Sequence, residues 1–195
     1  MSLRTDILAT LTYFDLFHYP LTALELRLFS RRPHQQAAIS AALRELLAAK
    51  QVFCFDGLYT LHNDASLAPR RRRGNAKARE LLYTAGKVAQ LVSCFPFVRG
   101  VAVSGSLSKN WADERSDIDL FLITAPNRLW LARTLLHGLK KLSYLVGRQH
   151  LFCMNYYVDE EGLQIKEKNI YTATELATLL PLRGIHAFQQ LYKSN

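Results

Sequence analysis

The sequence predicts an α+β protein of two modules joined by a basic helix, with boundaries at residues 1–62, 63–96 and 97–195. Three observations carry that division. Apolar residues recur at helical spacing in the first module and give way to a turn signal, Asp56-Gly57, between two short β-rich runs. Charge is uneven: residues 1–62 hold six basic and five acidic side chains and residues 101–195 hold eleven and nine. Most of the net +9 therefore falls in residues 63–100, led by Arg70, Arg71, Arg72 and Arg73. Finally, a β-branched run from Val98 to Val103 ends in Ser-Gly-Ser, and Asp117-Ile118-Asp119 opens a second apolar run.

Each element of the first module has a local cause. Ile7, Leu8, Leu11, Phe14 and Phe17 form one face of a helix beginning near residue 4. Tyr19-Pro20-Leu21-Thr22 breaks it, and Thr22 with Glu25 three residues on makes a capping box for a second helix. Pro33 ends that pattern near Ser30, and a third helix follows with Ile39, Leu43, Leu46 and Leu47 on one face. The hairpin around Asp56-Gly57 closes the module. Three helices and a hairpin in this order resemble a winged helix-turn-helix domain, by pattern rather than by a residue motif. The resemblance implies a third helix lying in the DNA major groove. That helix offers His34, Gln35, Gln36, Ser40 and a lone Arg44 among alanines, and the hairpin tip carries an acid. Phosphate contacts need Lys and Arg. Packing or partner binding is therefore favoured over DNA reading.

The joint reads as a long helix from Leu67 to about Cys94, with Leu81, Leu82, Ala85, Val88, Ala89 and Val92 as its apolar stripe. Its arginine run suits contact with nucleic acid or another polyanion, or is simply a solvated helix start.

The second module carries the chemistry. The strand 98–103 ends at Ser104-Gly105-Ser106, where Gly105 lets the backbone approach an anion. A short helix starts at about Ser106, and its unpaired N–H groups favour phosphate. Ten residues later Asp117 and Asp119 open the next strand, on one face because side chains alternate with period two. Two adjacent carboxylates repel unless a cation lies between them, and hard oxygen ligands suit Mg²⁺ shared with substrate phosphates.

Gly105-Ser106, the gap, and Asp117-Ile118-Asp119-Leu120 with apolar flanks resemble the signature of the DNA polymerase beta-like nucleotidyltransferase superfamily, most closely its minimal bacterial members. The motif covers residues 101–124, and the order of strands and helices extends the likeness to about residue 158. The resemblance implies a small mixed-sheet domain with flanking helices. It also implies a nucleoside triphosphate substrate held by Gly105 and Ser106, beside which Ser104 is a further candidate contact, and Mg²⁺ or Mn²⁺ on Asp117 and Asp119, which are the catalytic pair. Lys109 and Ser116 lie in the motif loop as further nucleotide contacts. Trp111 either stacks a base or packs on the sheet, and Arg115 reads as surface.

Active members usually place a third acid on a neighbouring strand. Here the strand following a helix over 127–146 is 151–158, and it has no acid in its middle. Alternation puts Cys153, Asn155, Tyr157 and Asp159 on one face, so Asn155 stands in the third position, with Asp159 as the alternative. Asn cannot act as a base at neutral pH. Two readings follow: transfer of a nucleoside monophosphate to an acceptor hydroxyl on RNA, protein or a small molecule, or a weak or inactive nucleotide-binding protein that regulates through its winged helix-like module.

The remainder is plain. Residues 169–181 read as a helix capped by Thr172 or Thr174 and stopped by Pro181, and His186 reads as surface. His18, His34, His62, His137 and His150 show no ligand spacing, and the three scattered cysteines read as reduced thiols. At 49% hydrophobic and 21% charged residues the composition is that of a globular protein. No apolar run reaches the roughly 18–20 residues needed to cross a bilayer, no signal peptide is recognised, and the expected location is cytoplasmic.

Overall fold

The computed structural model of the chain describes residues 2–145, 147 and 151–195. The chain divides into two units, Met1–Arg73 and Gly74–Asn195. Among the described residues there are eight α-helices and two sheets, of three and four strands. His150, and the helix end expected near Val146, lie outside the described residues.

In the first unit, α1 (Leu3–Asp15) is capped by Ser2, whose hydroxyl accepts the Thr5 N–H, and it buries Ile7, Leu11 and Phe14. The break after α1 is itself structured: Leu21–Thr22 forms a short strand, β1, which sequence periodicity does not reveal. Thr22 then caps α2 (Ala23–Phe29) in the reciprocal capping box with Glu25. Helix α3 (Gln36–Ala48) turns Ile39, Ala42, Leu43 and Leu46 inward. Strands β2 (Phe53–Phe55) and β3 (Leu58–Thr60) form the hairpin, with Asp56 at φ +54° and Gly57 at φ +78°. Two successive positive φ values are those of a type I′ turn, which matches the twist of the strands. The sheet order is β1-β3-β2, antiparallel throughout.

The long helix α4 (Leu67–Ser93) is not a separate joint, because the division between the units falls inside it. The arginine run belongs to the first unit and is largely committed there. Arg71 is buried, donates to the Pro20 carbonyl and to Glu25 Oε1 (2.6 Å), and lies 3.9 Å above the Tyr19 ring. Arg72 pairs with Asp56 at 3.0 Å, and Arg70 donates to the His18 carbonyl at 2.8 Å. A basic run that looks solvated in the sequence is, at three of its four positions, bonded to its own unit.

In the second unit a four-stranded sheet has the order β6-β5-β4-β7. Strands β4 (Val98–Val103) and β5 (Asp119–Thr124) are antiparallel and flank the four-residue helix α5 (Gly105–Ser108). Helix α6 (Leu129–Tyr144) crosses to β6 (Cys153–Asp159), which is parallel to β5. Alternation along the strands feeds two cores. Val101, Val103, Leu120 and Leu122 pack with Ala85, Val88 and Val92 of α4 and Leu136 of α6. Ala102, Phe121, Ile123 and Val158 pack on the other face with Phe188 and Leu191 of α8 (Ile185–Lys193).

The C-terminal portion departs from the expectation. Helix α7 (Ile170–Ala177) is capped by Asn169, whose side chain accepts the Thr172 N–H, rather than by Thr172 or Thr174. Pro181 is not a helix stop but part of β7 (Leu180–Arg183), paired with Ala102 of β4. As the edge strand, β7 tolerates a residue without an N–H.

Candidate functional site

The sheet register gathers the chemistry at one end of the strands. Val103 pairs with Leu120, so the end of β4 lies beside the start of β5, and the Ser104 N–H donates to the Asp119 carbonyl at 2.9 Å. Asp119 pairs in turn with Cys153, the first residue of β6. Three strand ends thus border one cavity of about 440 Å³, lined among others by Ser104, Gly105, Asp119, Asn155, Tyr171 and Glu175. That volume lies within the range of ordinary small-molecule sites.

Gly105 is demanded twice over. Its φ is +67°, and a Cβ there would stand 2.6 Å from Asp119 Oδ2. Backbone and carboxylate can approach this closely only without a side chain. Asp119 begins β5, whereas Asp117 precedes the strand and is exposed. Burial pushes the Asp119 carboxyl above its ordinary value, and the charges of Asp117 and Glu175 push in the same direction against hydrogen bonds from Cys153 and Asn155. Carboxylate oxygens are the hard donors that Mg²⁺ or Mn²⁺ takes. Asp119 lines the cavity, while the exposed Asp117 is not among its lining residues.

Asn155 donates its amide to Asp119 Oδ1 at 2.6 Å, and its own oxygen accepts from the Cys153 thiol at 3.1 Å. The register explains how it gets there. Leu120 pairs with Met154 and Phe121 with Tyr156, so Asn155 is the extra residue of a bulge. The bulge breaks the alternation expected of this strand. Tyr156 now stacks on Phe121 at 5.1 Å above one face, while Tyr157 packs into the core on the other. Asp159 pairs with Thr124 at the far end of β5, its side chain closing a turn to the Glu161 N–H. It is therefore not at the third position beside Asp119.

The groups expected to receive phosphate already hold an anion. Glu175 of α7 accepts from the Lys109 ammonium at 2.7 Å and from the Gly105 N–H at 3.3 Å. Lys109 is secured further by the Gly105 carbonyl at 3.0 Å. Glu175 was not singled out by the sequence. Its spacing from Asp119 carries no motif, and only the path of α7 over the cavity reveals it. The Asn169 cap, which fixes where α7 starts, is the one local signal that bears on its orientation.

Other expected contacts are placed elsewhere. Ser106 is exposed, and its carbonyl accepts the N–H groups of Lys109 and Trp111. Ser116 exchanges hydrogen bonds with Asp113, at 2.8 Å from the backbone N–H and 2.9 Å to the carboxylate. Trp111 packs its indole against Gly74 of α4, and the neighbouring Ala112 N–H donates to the Gly74 carbonyl at 3.2 Å. Trp111 is thus a packing residue that ties the motif loop to α4.

The chain was compared with family models, with curated proteins and with solved structures, and it matches none of them.

Proposed function

We propose that residues 97–195 bind a nucleoside triphosphate with Mg²⁺ or Mn²⁺ and transfer its nucleoside monophosphate to an acceptor hydroxyl. The observation that carries this reading is the convergence of Asp119, Gly105 and Glu175 on one cavity, with Lys109 bonded to both Gly105 and Glu175 and Asp117 two residues before Asp119. Asp117 and Asp119 would hold the metal, which supplies neutralisation of the phosphate oxygens. Lys109 and the Gly105 N–H bind phosphate oxygens once Glu175 releases them. In the transfer the acceptor oxygen attacks the α-phosphorus, the bond to the bridging oxygen breaks and pyrophosphate leaves. The hydroxyl proton passes to a carboxylate of the site. Alignment and charge neutralisation carry most of such a reaction.

A specific observation favours a second reading. Asn155, not a carboxylate, stands against Asp119. A site with this departure binds metal and triphosphate while turning over slowly or not at all. The helix-strand-helix-helix-hairpin order of the first unit supports a winged helix-like module, through which a nucleotide-bound protein would engage a partner or nucleic acid. Incubation of the full chain with α-labelled nucleotide, Mg²⁺ and RNA, protein or small hydroxyl acceptors separates the two. Transfer that disappears in Asp117→Ala supports the enzyme. Metal-dependent binding without transfer supports the second reading, and neither result in any nucleotide rejects both.

A further inference from the structure

A second constellation lies within the first unit. Asp15, His18 and His62 each present a ligand atom, and all three atoms lie within 4.8 Å of one another. We propose that these three side chains form a binding site for a divalent first-row transition metal of the zinc class.

The geometry is close to that of a bound site. His62 Nε2 is 2.9 Å from Asp15 Oδ1, and the His18 and His62 ring centroids are 5.9 Å apart with the planes tilted by 57°. Two imidazoles on one tetrahedral Zn²⁺, with Zn–N about 2.0–2.1 Å, would place their centroids about 5 Å apart. Drawing the three donor atoms together from within 4.8 Å of one another would place them on one ion, leaving a fourth position to water or a ligand. Asp15 is one-quarter exposed and His62 half exposed, so an ion has access from solvent.

The backbone fixes where His18 stands. Helix α1 ends in a double hydrogen-bonded turn, with Tyr19 N–H on the Phe14 carbonyl and His18 N–H on the Asp15 carbonyl. In this Schellman arrangement the left-handed position favours glycine. Here it is filled by His18 at φ +49°. Histidine is among the non-glycine residues that adopt this conformation most readily, and the turn fixes where its side chain starts. The turn is fixed further by Arg70, which donates to the His18 carbonyl at 2.8 Å. On the facing side the Thr60 hydroxyl accepts the His62 N–H at 3.2 Å. Both imidazoles are thus carried on anchored backbone. Their nitrogen donors select zinc-class ions over Mg²⁺, which prefers oxygen.

The site was invisible in the sequence because the ligands come from a helix end and from the residues after a hairpin. Titration of Co²⁺ into the metal-free full chain, with Mg²⁺ in excess to occupy oxygen sites, tests the proposal. The expected result is one equivalent of Co²⁺ with a visible spectrum of nitrogen and oxygen ligation, displaced by Zn²⁺. His18→Gly removes the imidazole yet fits the left-handed backbone, so its fold is retained, and His62→Gln removes the other ring. Each should weaken Co²⁺ binding at least tenfold, while Glu114→Gln, at an exposed carboxylate in neither site, leaves it unchanged. Absence of a cobalt spectrum, a thiolate charge-transfer band, or binding unaffected by both histidine substitutions would overturn the proposal.

Discussion

Glu175 reaches from α7 to Lys109, with Oε1 2.7 Å from the ammonium, and its other oxygen accepts the Gly105 N–H. The Lys109 side chain is only 10% exposed and that of Glu175 22%, so the pair is well shielded from water. A phosphate must displace this carboxylate before it can use the same donors. Glu175→Ala is therefore expected to strengthen Mg²⁺-nucleotide binding by about tenfold or more, the equivalent of one charge-assisted hydrogen bond. Lys109→Met should weaken it by a similar factor. Calorimetric titration of both variants checks this, and loss of binding in Glu175→Ala would show that Glu175 serves the ligand rather than competes with it.

Gly105→Ala combines a left-handed backbone with a Cβ against the Asp119 carboxylate. It should cost about 1–3 kcal/mol of stability. It should also remove nucleotide binding, because Asp119 has to move. Urea unfolding of the variant, followed by the same titration, measures both effects.

Asn155→Asp replaces an amide donor with a second carboxylate 2.6 Å from the Asp119 oxygen. Without divalent metal the variant should melt at a lower temperature than the wild type, and Mg²⁺ should recover more of its stability than in the wild type. If the missing third acid limits turnover, label transfer should rise by at least about tenfold, since a positioned base typically contributes about 10²–10⁴-fold. An unchanged melting temperature without metal would contradict the contact with Asp119.

Arg71 holds Glu25, the Pro20 carbonyl and the Tyr19 ring from a buried position. Removing one partner of a buried ion pair typically costs about 3–5 kcal/mol. Arg71→Met should therefore destabilise the first unit by about that amount, whereas exposed Arg73→Ser should leave stability within about 0.5 kcal/mol. Differential scanning calorimetry of the full chain distinguishes them, and equal effects would place Arg71 on the surface.

Local signals were legible and distant ones were not. The Thr22-Glu25 capping box and the Asp56-Gly57 turn depend on neighbours in sequence, and both form where their spacing predicts. The adjacency of Gly105 and Asp119 follows from β4, the connection through α5 and the antiparallel return of β5, again a short-range matter. Asn155 was found through strand alternation, yet the bulge at that residue reverses the faces that follow it, and Asp159 falls at the far end of the strand, paired with Thr124. Glu175 depends on how α7 packs over the cavity, and Pro181 on β7 being an edge strand. Neither leaves a periodic trace. The arginine run shows the same limit. Charge counts cannot distinguish a solvated guanidinium from one buried over a tyrosine.

The central claim is that Asp117 and Asp119 hold the metal that carries a nucleoside triphosphate into the cavity beside Gly105. Isothermal titration of ATP and GTP into the full chain, with and without Mg²⁺, in the wild type and in Asp119→Asn, tests it most directly. The predicted result is binding of at least one nucleotide that requires Mg²⁺ and is weakened by a factor of 10² or more in the variant, about 2.7 kcal/mol. Binding that is indifferent to Mg²⁺, or that survives Asp119→Asn unchanged, would contradict it.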